Sequence, residues 1–291
     1  MDLLELIKSR PILGDGAMGS LLQEGGFRSG DCPEAWNLER PEVILGIHKA
    51  YRDAGCDYVE TNTFGASTIK LARYGLDSKI DDIVAAGVDL ARRAVGDTCL
   101  IAASVGPTGG LLEPYGDYSR DQLAEAFGRA TEAMERAGVD FYLIETMSDL
   151  NEAALAIAAA KAVSKKPVAA TMAFTKGAKG YRTMMGTSPE DAGTGLVEAG
   201  ADLVGTNCCS GPEAAAEIII EMAGSTPLAV IAQPNAGLPE LKNGCAVYPE
   251  TPEDMAAGAE SLLACGARVI GGCCGTTPAH MASMGSVIKS H

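Results

Sequence analysis

The apolar residues of this chain fall into short runs separated by longer stretches of helical spacing. Four times such a stretch closes on glycine and an apolar run begins at once: AGCDYVETN from Ala54, AGVDFYLIET from Ala137, AGADLVGTN from Ala199 and CGARVIGGCC from Cys265. Glycine just past a last helical turn supplies a left-handed cap at little cost, and the β-branched and aromatic residues that follow suit a buried strand. Each phrase is therefore a helix-to-strand junction. The stretches between carry one apolar face, with Leu123, Phe127, Ala130 and Met134 on one and Val43, Ile47, Tyr51 and Ala54 on another. Proline or acids in a first turn mark helix starts in RPEV at Arg40, SRDQ at Ser119, SPED at Ser188, GPEA at Gly211 and TPED at Thr251.

Taken in order, the apolar runs are PILG (11–14), DYVET (57–61), CLIAAS (99–104), FYLIE (141–145), PVAATMAF (167–174), DLVGTN (202–207), PLAVIAQ (227–233) and RVIGG (268–272). They predict eight strands, each followed by a stretch that suits a helix. Such alternation implies a parallel sheet with right-handed crossovers, and the strand count matches an α/β fold closed as a single (β/α)8 TIM barrel over residues 1–291. A doubly wound open sheet is the structural alternative; it usually has fewer strands per domain and a phosphate loop after the first. GDGAMGS, from Gly14, matches the dinucleotide spacing only loosely. No linker, low-complexity tract or block of charge marks a domain boundary, and the stretch from roughly Gly25 to Leu38 reads as a decorated first loop.

Composition narrows the function more than the fold. With 291 residues, 47% of them hydrophobic, the chain holds enough apolar material for a large core. No apolar run approaches the roughly 18 residues of a membrane span, and MDLLELIKSRPILGDGAMGS lacks the basic and apolar segments of a secretory leader. A cytoplasmic protein without membrane contact is expected. The formal charge of −15 and a pI near 4.6 disfavour nucleic acid as a partner, because its phosphates would be repelled. Nine cysteines, at 32, 56, 99, 208, 209, 245, 265, 273 and 274, are spread through the chain. In a reducing compartment such residues are buried thiols, metal ligands or nucleophiles, not a disulfide frame.

A parallel barrel places its active site at the C-terminal ends of the strands. Those ends carry Asp15 after the first strand, Glu60, Thr61 and Asn62 at the second, Ser104 at the third, and Glu145 and Thr146 at the fourth. Cys208 ends the sixth, Asn235 follows the seventh, and Cys273 and Cys274 follow the eighth. Successive strand residues point to opposite faces, so of two adjacent cysteines one ordinarily faces the core and the other a helix. Here Gly272 and Gly275 flank the pair and let the backbone turn so that both sulfurs face one way. Three cysteines from two strand ends then meet over one mouth. Cys209 competes with Cys208 for the third place, and spacing does not separate them.

Three thiolates suit Zn2+, and a site with three protein ligands keeps one position open for chemistry. His48 falls within a predicted helix, and His280 and His291 follow the last strand, so no histidine is an evident fourth ligand. CxxC pairs are absent, which excludes finger and ribbon sites. An open position on sulfur-bound zinc suits capture of a further thiol, which coordination deprotonates from an ordinary pKa of about 8.5. Asp15 and Glu145 suit an ammonium group, and N–H groups of the DGAMG loop suit a carboxylate. The implied reaction is alkyl transfer to the sulfur of an amino acid; a turn or cap is the other reading for Asp15. Cys32, Cys56, Cys99, Cys245 and Cys265 have no comparable grouping and are read as bystanders.

The segments GDGAMGS, PEVILGIHKAYRDAGCDYVETNTF, SVGPTG, LIETMSD, GTNCC, QPNAGLP and GGCCGTTPAH resemble, in order and spacing, the homocysteine S-methyltransferase family. Within it they are most similar to the homocysteine-binding module of cobalamin-dependent methionine synthase. The resemblance implies a (β/α)8 barrel in which zinc activates homocysteine. In its pattern the first cysteine follows G-x-N, which selects Cys208 over Cys209, and the closing pair corresponds to Cys273 and Cys274. It places Asp15 and Glu145 on the amino group, the loop at Gly16 and the Thr61 region on the carboxylate, and Asn235 beside the zinc. It also implies methylcobalamin as donor. The D-x-H-x-x-G corrinoid motif is absent, and the chain ends soon after Cys274, so the cobalamin is expected on a separate corrinoid protein. Betaine-using relatives carry a longer C-terminal arm; S-methylmethionine-using relatives are compact, with an opening motif less similar to DGAMGS. A donor of that onium kind is one alternative, and a non-catalytic subunit that binds zinc or a thiol is another.

Overall fold

The computed structural model describes residues 2–28, 30–242 and 245–291. Eight parallel strands make one sheet: β1 Ile12–Leu13, β2 Tyr58–Glu60, β3 Leu100–Val105, β4 Phe141–Met147, β5 Val168–Met172, β6 Leu203–Asn207, β7 Ala229–Gln233 and β8 Ala267–Ile270. Each strand lies beside the next in sequence and β1 pairs with β8, so the sheet curls into a nearly closed (β/α)8 barrel. All eight stand where the apolar runs place them, and the open-sheet alternative falls. Helices begin where their first-turn marks lie: Pro41–Asp53, Arg120–Ala137, Pro189–Glu198, Pro212–Ala223 and Pro252–Ala264. Ser119 and Gln122 form a reciprocal capping box on the second of these. Among the described residues no helix is long and apolar enough to cross a membrane.

Between β1 and β2 no strand ladder forms among the described residues. β1 is short: Pro11 offers no N–H to the ladder, and Gly14 packs against the Tyr58 hydroxyl with no room for a side chain. Carboxylates close the seam instead. Asp57 Oδ2 accepts from Leu13 N at 2.8 Å while Asp57 N donates to Leu13 O at 2.7 Å, and Asp15 Oδ2 accepts from Glu60 N at 2.9 Å. Arg10 grips Asp57 with two guanidinium nitrogens, at 2.9 and 2.6 Å.

Inside the barrel Tyr58, Leu100, Phe141, Leu203, Ile231 and Val269 share one apolar cluster, which Leu3 and Ile7 of the first helix, Leu3–Ser9, complete at the strands' N-terminal end. Strand side chains alternate, so counting onward by twos keeps to the inward face. The count reaches Glu60, Ser104, Glu145, Thr171, Asn207 and Gln233 at the strand ends, a polar layer that floors the mouth. Two features go beyond the expected loops. Antiparallel ribbons, Thr175–Gly177 with Gly180–Arg182 and Glu240–Lys242 with Cys245–Val247, stand in the connections after β5 and β7. The decorated first loop contains a 3-10 turn, Pro33–Ala35, and a helix, Trp36–Glu39, whose Trp36 packs edge-on against Phe27 and beneath Arg40.

Candidate metal and substrate site

The Cys273–Cys274 pair lies beyond the last residue of β8, in a turn, so strand alternation does not govern it. The turn is held from several sides. Gly272 N donates to Asp15 O (2.9 Å), Cys273 N to Pro234 O (2.9 Å), and Thr276 Oγ1 to Cys273 O (2.7 Å). Gly275 has φ +81°, and any side chain there would collide with the Tyr248 ring at 2.0 Å. Both sulfurs consequently face the same way. With Cys208 they form the one group of His, Cys, Asp or Glu among the described residues whose ligand atoms all lie within 4.8 Å of one another. Cys208 Sγ is 3.8 Å from Cys274 Sγ. Three half-buried sulfurs so placed are a donor set that fits zinc.

The thiols divide their protons unequally. Hydrogen bonds from Cys208 and Cys273 hold the Cys274 thiol down at about 3, and the Tyr248 hydroxyl adds a further one. Cys273 is pushed well above the ordinary range by its bonds to Cys208 and Cys274, and by burial. The resemblance singles out Cys208 over Cys209, and the geometry agrees: Cys209 is buried in the core with its sulfur toward Gly211 O at 3.8 Å. Cys32, Cys56, Cys99 and Cys265 stand outside the sulfur group, and the Cys245 side chain lies outside the described residues. His280 caps its own helix through Thr277 and meets Glu250 O, and His48 is buried in Pro41–Asp53.

Beneath the sulfurs lie three buried acids. Glu145 accepts from Ser104 Oγ (2.5 Å) and Asn207 Nδ2 (3.2 Å), and Glu60 accepts from Gln233 Nε2 (2.5 Å). Glu60 and Glu145 stand close enough for the charge of Glu145 to push the Glu60 carboxyl upward. Burial raises the pKa of all three. Asp15 and Glu60 rise well above the carboxylate range, with the charge of Glu145 adding to each. Asp15 Oδ1, Gln233 Oε1 and Asn235 Oδ1 are buried acceptors without a partner among the described residues. Orphaned acceptors in a crowd of carboxyls call for a ligand rich in N–H donors.

The remaining expected residues are placed as follows. Asn235 donates its backbone N–H to Cys209 O at 3.1 Å, and its side chain acts to lower the pKa of Cys208. Gly16 stands where a side chain would meet Thr276 Oγ1 at 2.6 Å and the Tyr51 hydroxyl at 2.9 Å, which seats the DGAMG loop against the cysteine turn. Thr61 has its hydroxyl engaged by Ser104 N (3.2 Å) and Thr63 Oγ1 (2.7 Å), so it positions Ser104 beside Glu145. The site also holds Asn207, Gln233 and Tyr248, which are not among the candidate residues of the sequence, although GTNCC and QPNAGLP contain the first two. The first two follow from the count by twos along β6 and β7; Tyr248 has no such signal, since a ribbon of the β7 connection delivers it.

A (β/α)8 barrel with three sulfurs over a nest of acids defines a class of thiol-handling enzymes, and comparison gives the family. The family model of homocysteine S-methyltransferase matches residues 12–288, and the chain belongs to that family. It is 32% identical over 308 aligned residues to methionine synthase of Mycobacterium tuberculosis, a match that covers 99% of this chain and 25% of that protein. Methionine synthase of Mycobacterium leprae matches to the same extent, so the chain spans about a quarter of the length of these curated relatives. The metallated form of the homocysteine methyltransferase MmuM from Escherichia coli superposes with a TM-score of 0.79 at 26% identity, over 98% of both chains. The carboxyl transferase domain of Rhizobium etli pyruvate carboxylase, 14% identical with a TM-score of 0.57, shares the fold alone.

Proposed function

We propose that this mouth binds homocysteine and methylates its sulfur to give methionine, with zinc held by Cys208, Cys273 and Cys274 and the methyl group supplied by methylcobalamin on a corrinoid protein. The observation that carries the reading is the juxtaposition of three sulfurs within 4.8 Å of one another with unpartnered acceptors at Asp15 and Gln233. Zinc bound there would hold the substrate thiol as thiolate at neutral pH. The chain's own residues do the rest. Asp15 and Glu145 receive the ammonium group, with Glu60 between them, and the N–H groups at Gly16 receive the carboxylate. An arriving ammonium also relieves the mutual repulsion of the three acids, so binding and ionisation of the nest support each other. Asn235, anchored to Cys209 O through its backbone N–H, shields the sulfurs until the substrate arrives. The thiolate sulfur forms the new carbon–sulfur bond, and the donor leaves with the electron pair of the bond that breaks.

The choice of a macromolecular donor rests on the kinship with methionine synthases and on the rim of the mouth. Tyr115, Met184, Leu238 and Leu241, each 66–80% exposed, all lie in connections that follow β3, β5 and β7. Apolar side chains concentrated on the face where chemistry occurs suit contact with a protein. A second reading, a small sulfonium or betaine-type donor, is favoured by the match to MmuM over 98% of that chain, a barrel of the same extent. The reaction assigns the purified protein to one or the other: with homocysteine, turnover by methylcobalamin supports the first, and turnover by S-methylmethionine alone overturns it. If chelation of zinc unfolds the protein and neither donor reacts, the site is structural, as in a non-catalytic binding subunit. The eight described cysteines are all free, as in the cytoplasm, where we place the protein.

A further inference from the structure

Only two residues other than glycine adopt left-handed backbone among the described residues, Thr146 at φ 60° and Cys208 at φ 55°. A β-branched residue in that region is strained and persists only where its surroundings dictate it. Each of the two directly follows an inward-facing strand residue, Glu145 and Asn207. One side chain ties both places together. Asn207, fully buried, accepts at Oδ1 from Thr146 N (2.8 Å) and Thr171 Oγ1 (2.9 Å). Its Nδ2 donates to Thr146 Oγ1 (2.7 Å) and Glu145 Oε2 (3.2 Å), and stands 3.9 Å from Cys273 Sγ. The task needs a donor and an acceptor on one short planar group. Aspartate would set a further carboxylate against Glu145 and a sulfur, and serine would not reach all the partners.

We infer that Asn207 is a positioning residue that links the amino-acid half of the site to its metal half. It pins the left-handed turn that aims Glu145, brings its amide nitrogen within 3.9 Å of the Cys273 sulfur, and is joined through its own backbone to Cys208. Groups that orient metal ligands from behind in this way typically change metal affinity 10- to 100-fold, by order of magnitude, when removed. Because one side chain positions both Glu145 and the cysteine turn, losing it weakens each ligand on its own. The inference rests on the reading that the sulfurs hold zinc and that Glu145 receives the ammonium group.

The test compares wild type, Asn207→Asp and Asn207→Ser, each also carrying Thr146→Gly, which relieves the left-handed strain. Zinc affinity is measured by competition with a chromophoric chelator, homocysteine affinity by calorimetry on the reduced metal-free protein, and Tm alongside. Both Asn207 variants are expected to lose about 10-fold or more in zinc affinity and to bind homocysteine about 10-fold more weakly. Thr146→Gly is expected to restore their Tm without restoring either affinity. If the affinities return together with the Tm, or never fall, Asn207 serves only the fold and the inference is overturned. A wild type that binds neither zinc nor homocysteine instead defeats the functional reading beneath it.

Discussion

At the scale of single residues, the acid nest sets the terms on which the substrate-free protein is stable. Glu60 has a folded pKa raised well above its ordinary 4.5, by burial first and by Glu145 and Asp15 next. A carboxyl raised in this sense contributes stability below about pH 4.5 and loses it as pH climbs through the folded value. Glu60→Gln keeps the contact with Gln233 and can donate to Glu145 while removing one ionisation. We expect the substrate-free variant to melt about 2–4 °C higher than wild type at pH 8, a change of about 1 kcal/mol, and to show a flatter pH profile. It should bind homocysteine about 10-fold more weakly, a loss of the size of one hydrogen bond to a charged group. Thermal melts from pH 5 to 8, together with calorimetry, check both; an unchanged profile would remove Glu60 from the nest. The cysteines offer a sharper contrast. Cys273→Ser should abolish zinc retention and turnover while leaving the melt within a few degrees, because barrel stability resides in the packed strand layers. Cys209→Ala empties a small core position, costs about 1 kcal/mol, and should leave zinc stoichiometry by metal analysis untouched.

At the scale of elements, the seam between β1 and β2 is held by the Asp57 and Asp15 carboxylates together with the backbone bond from Asp57 N to Leu13 O, where other strand pairs use a backbone ladder. Asp57 serves Leu13 N and Arg10 at once, with its side chain only 12% exposed. Asp57→Ala would leave a buried N–H unmatched, which costs about 1–3 kcal/mol, and should lower the urea midpoint with the m-value unchanged. Arg10→Gln should cost less, its side chain being 38% exposed. The seam also marks where sequence patterning stops being legible. Glycine-capped helices followed by apolar runs announce four of the strands, and the other four are announced by their apolar runs alone, because secondary structure here follows local periodicity. PILG reads as four residues of strand, yet only Ile12–Leu13 pair, since proline and the crowding at Gly14 act across the chain and leave no periodic trace. The ribbons after β5 and β7 have three-residue strands, too short for apolar periodicity to register. Within the site, the strand-end rule finds Asp15, Glu145 and the cysteines. Asn207 and Gln233 lie in GTNCC and QPNAGLP, two positions beyond Gly205 and Ile231, but their roles follow only from partners on other strands. The Thr61 hydroxyl shows the converse: it is polar and at a strand end, but its bonds to Thr63 and Ser104 place it inside the framework.

At the scale of the whole molecule, net charge and the apolar rim together bear on the donor. A chain of formal charge −15 attracts no acidic surface at long range, whereas the exposed apolar side chains at the mouth offer a corrinoid partner short-range contact. Tyr115 and Leu241, 74% and 80% exposed in the connections after β3 and β7, are suited to that contact and are not among the residues that bind homocysteine in the proposed site. Replacing both with aspartate would add charge to a surface that must lose water on docking. Central apolar anchors at interfaces are worth about 2 kcal/mol or more each, so kcat/KM for methyl carried on the corrinoid protein should fall at least about 10-fold. Turnover with free methylcobalamin should stay within about two-fold of wild type, since a small donor reaches the sulfurs without covering the rim. Raising salt should leave the protein-borne rate nearly unchanged, the signature of an encounter without electrostatic steering. Equal losses with both donors would mean that these loops shape the pocket itself, and the rim would then lose its standing as the place where the methyl donor lands.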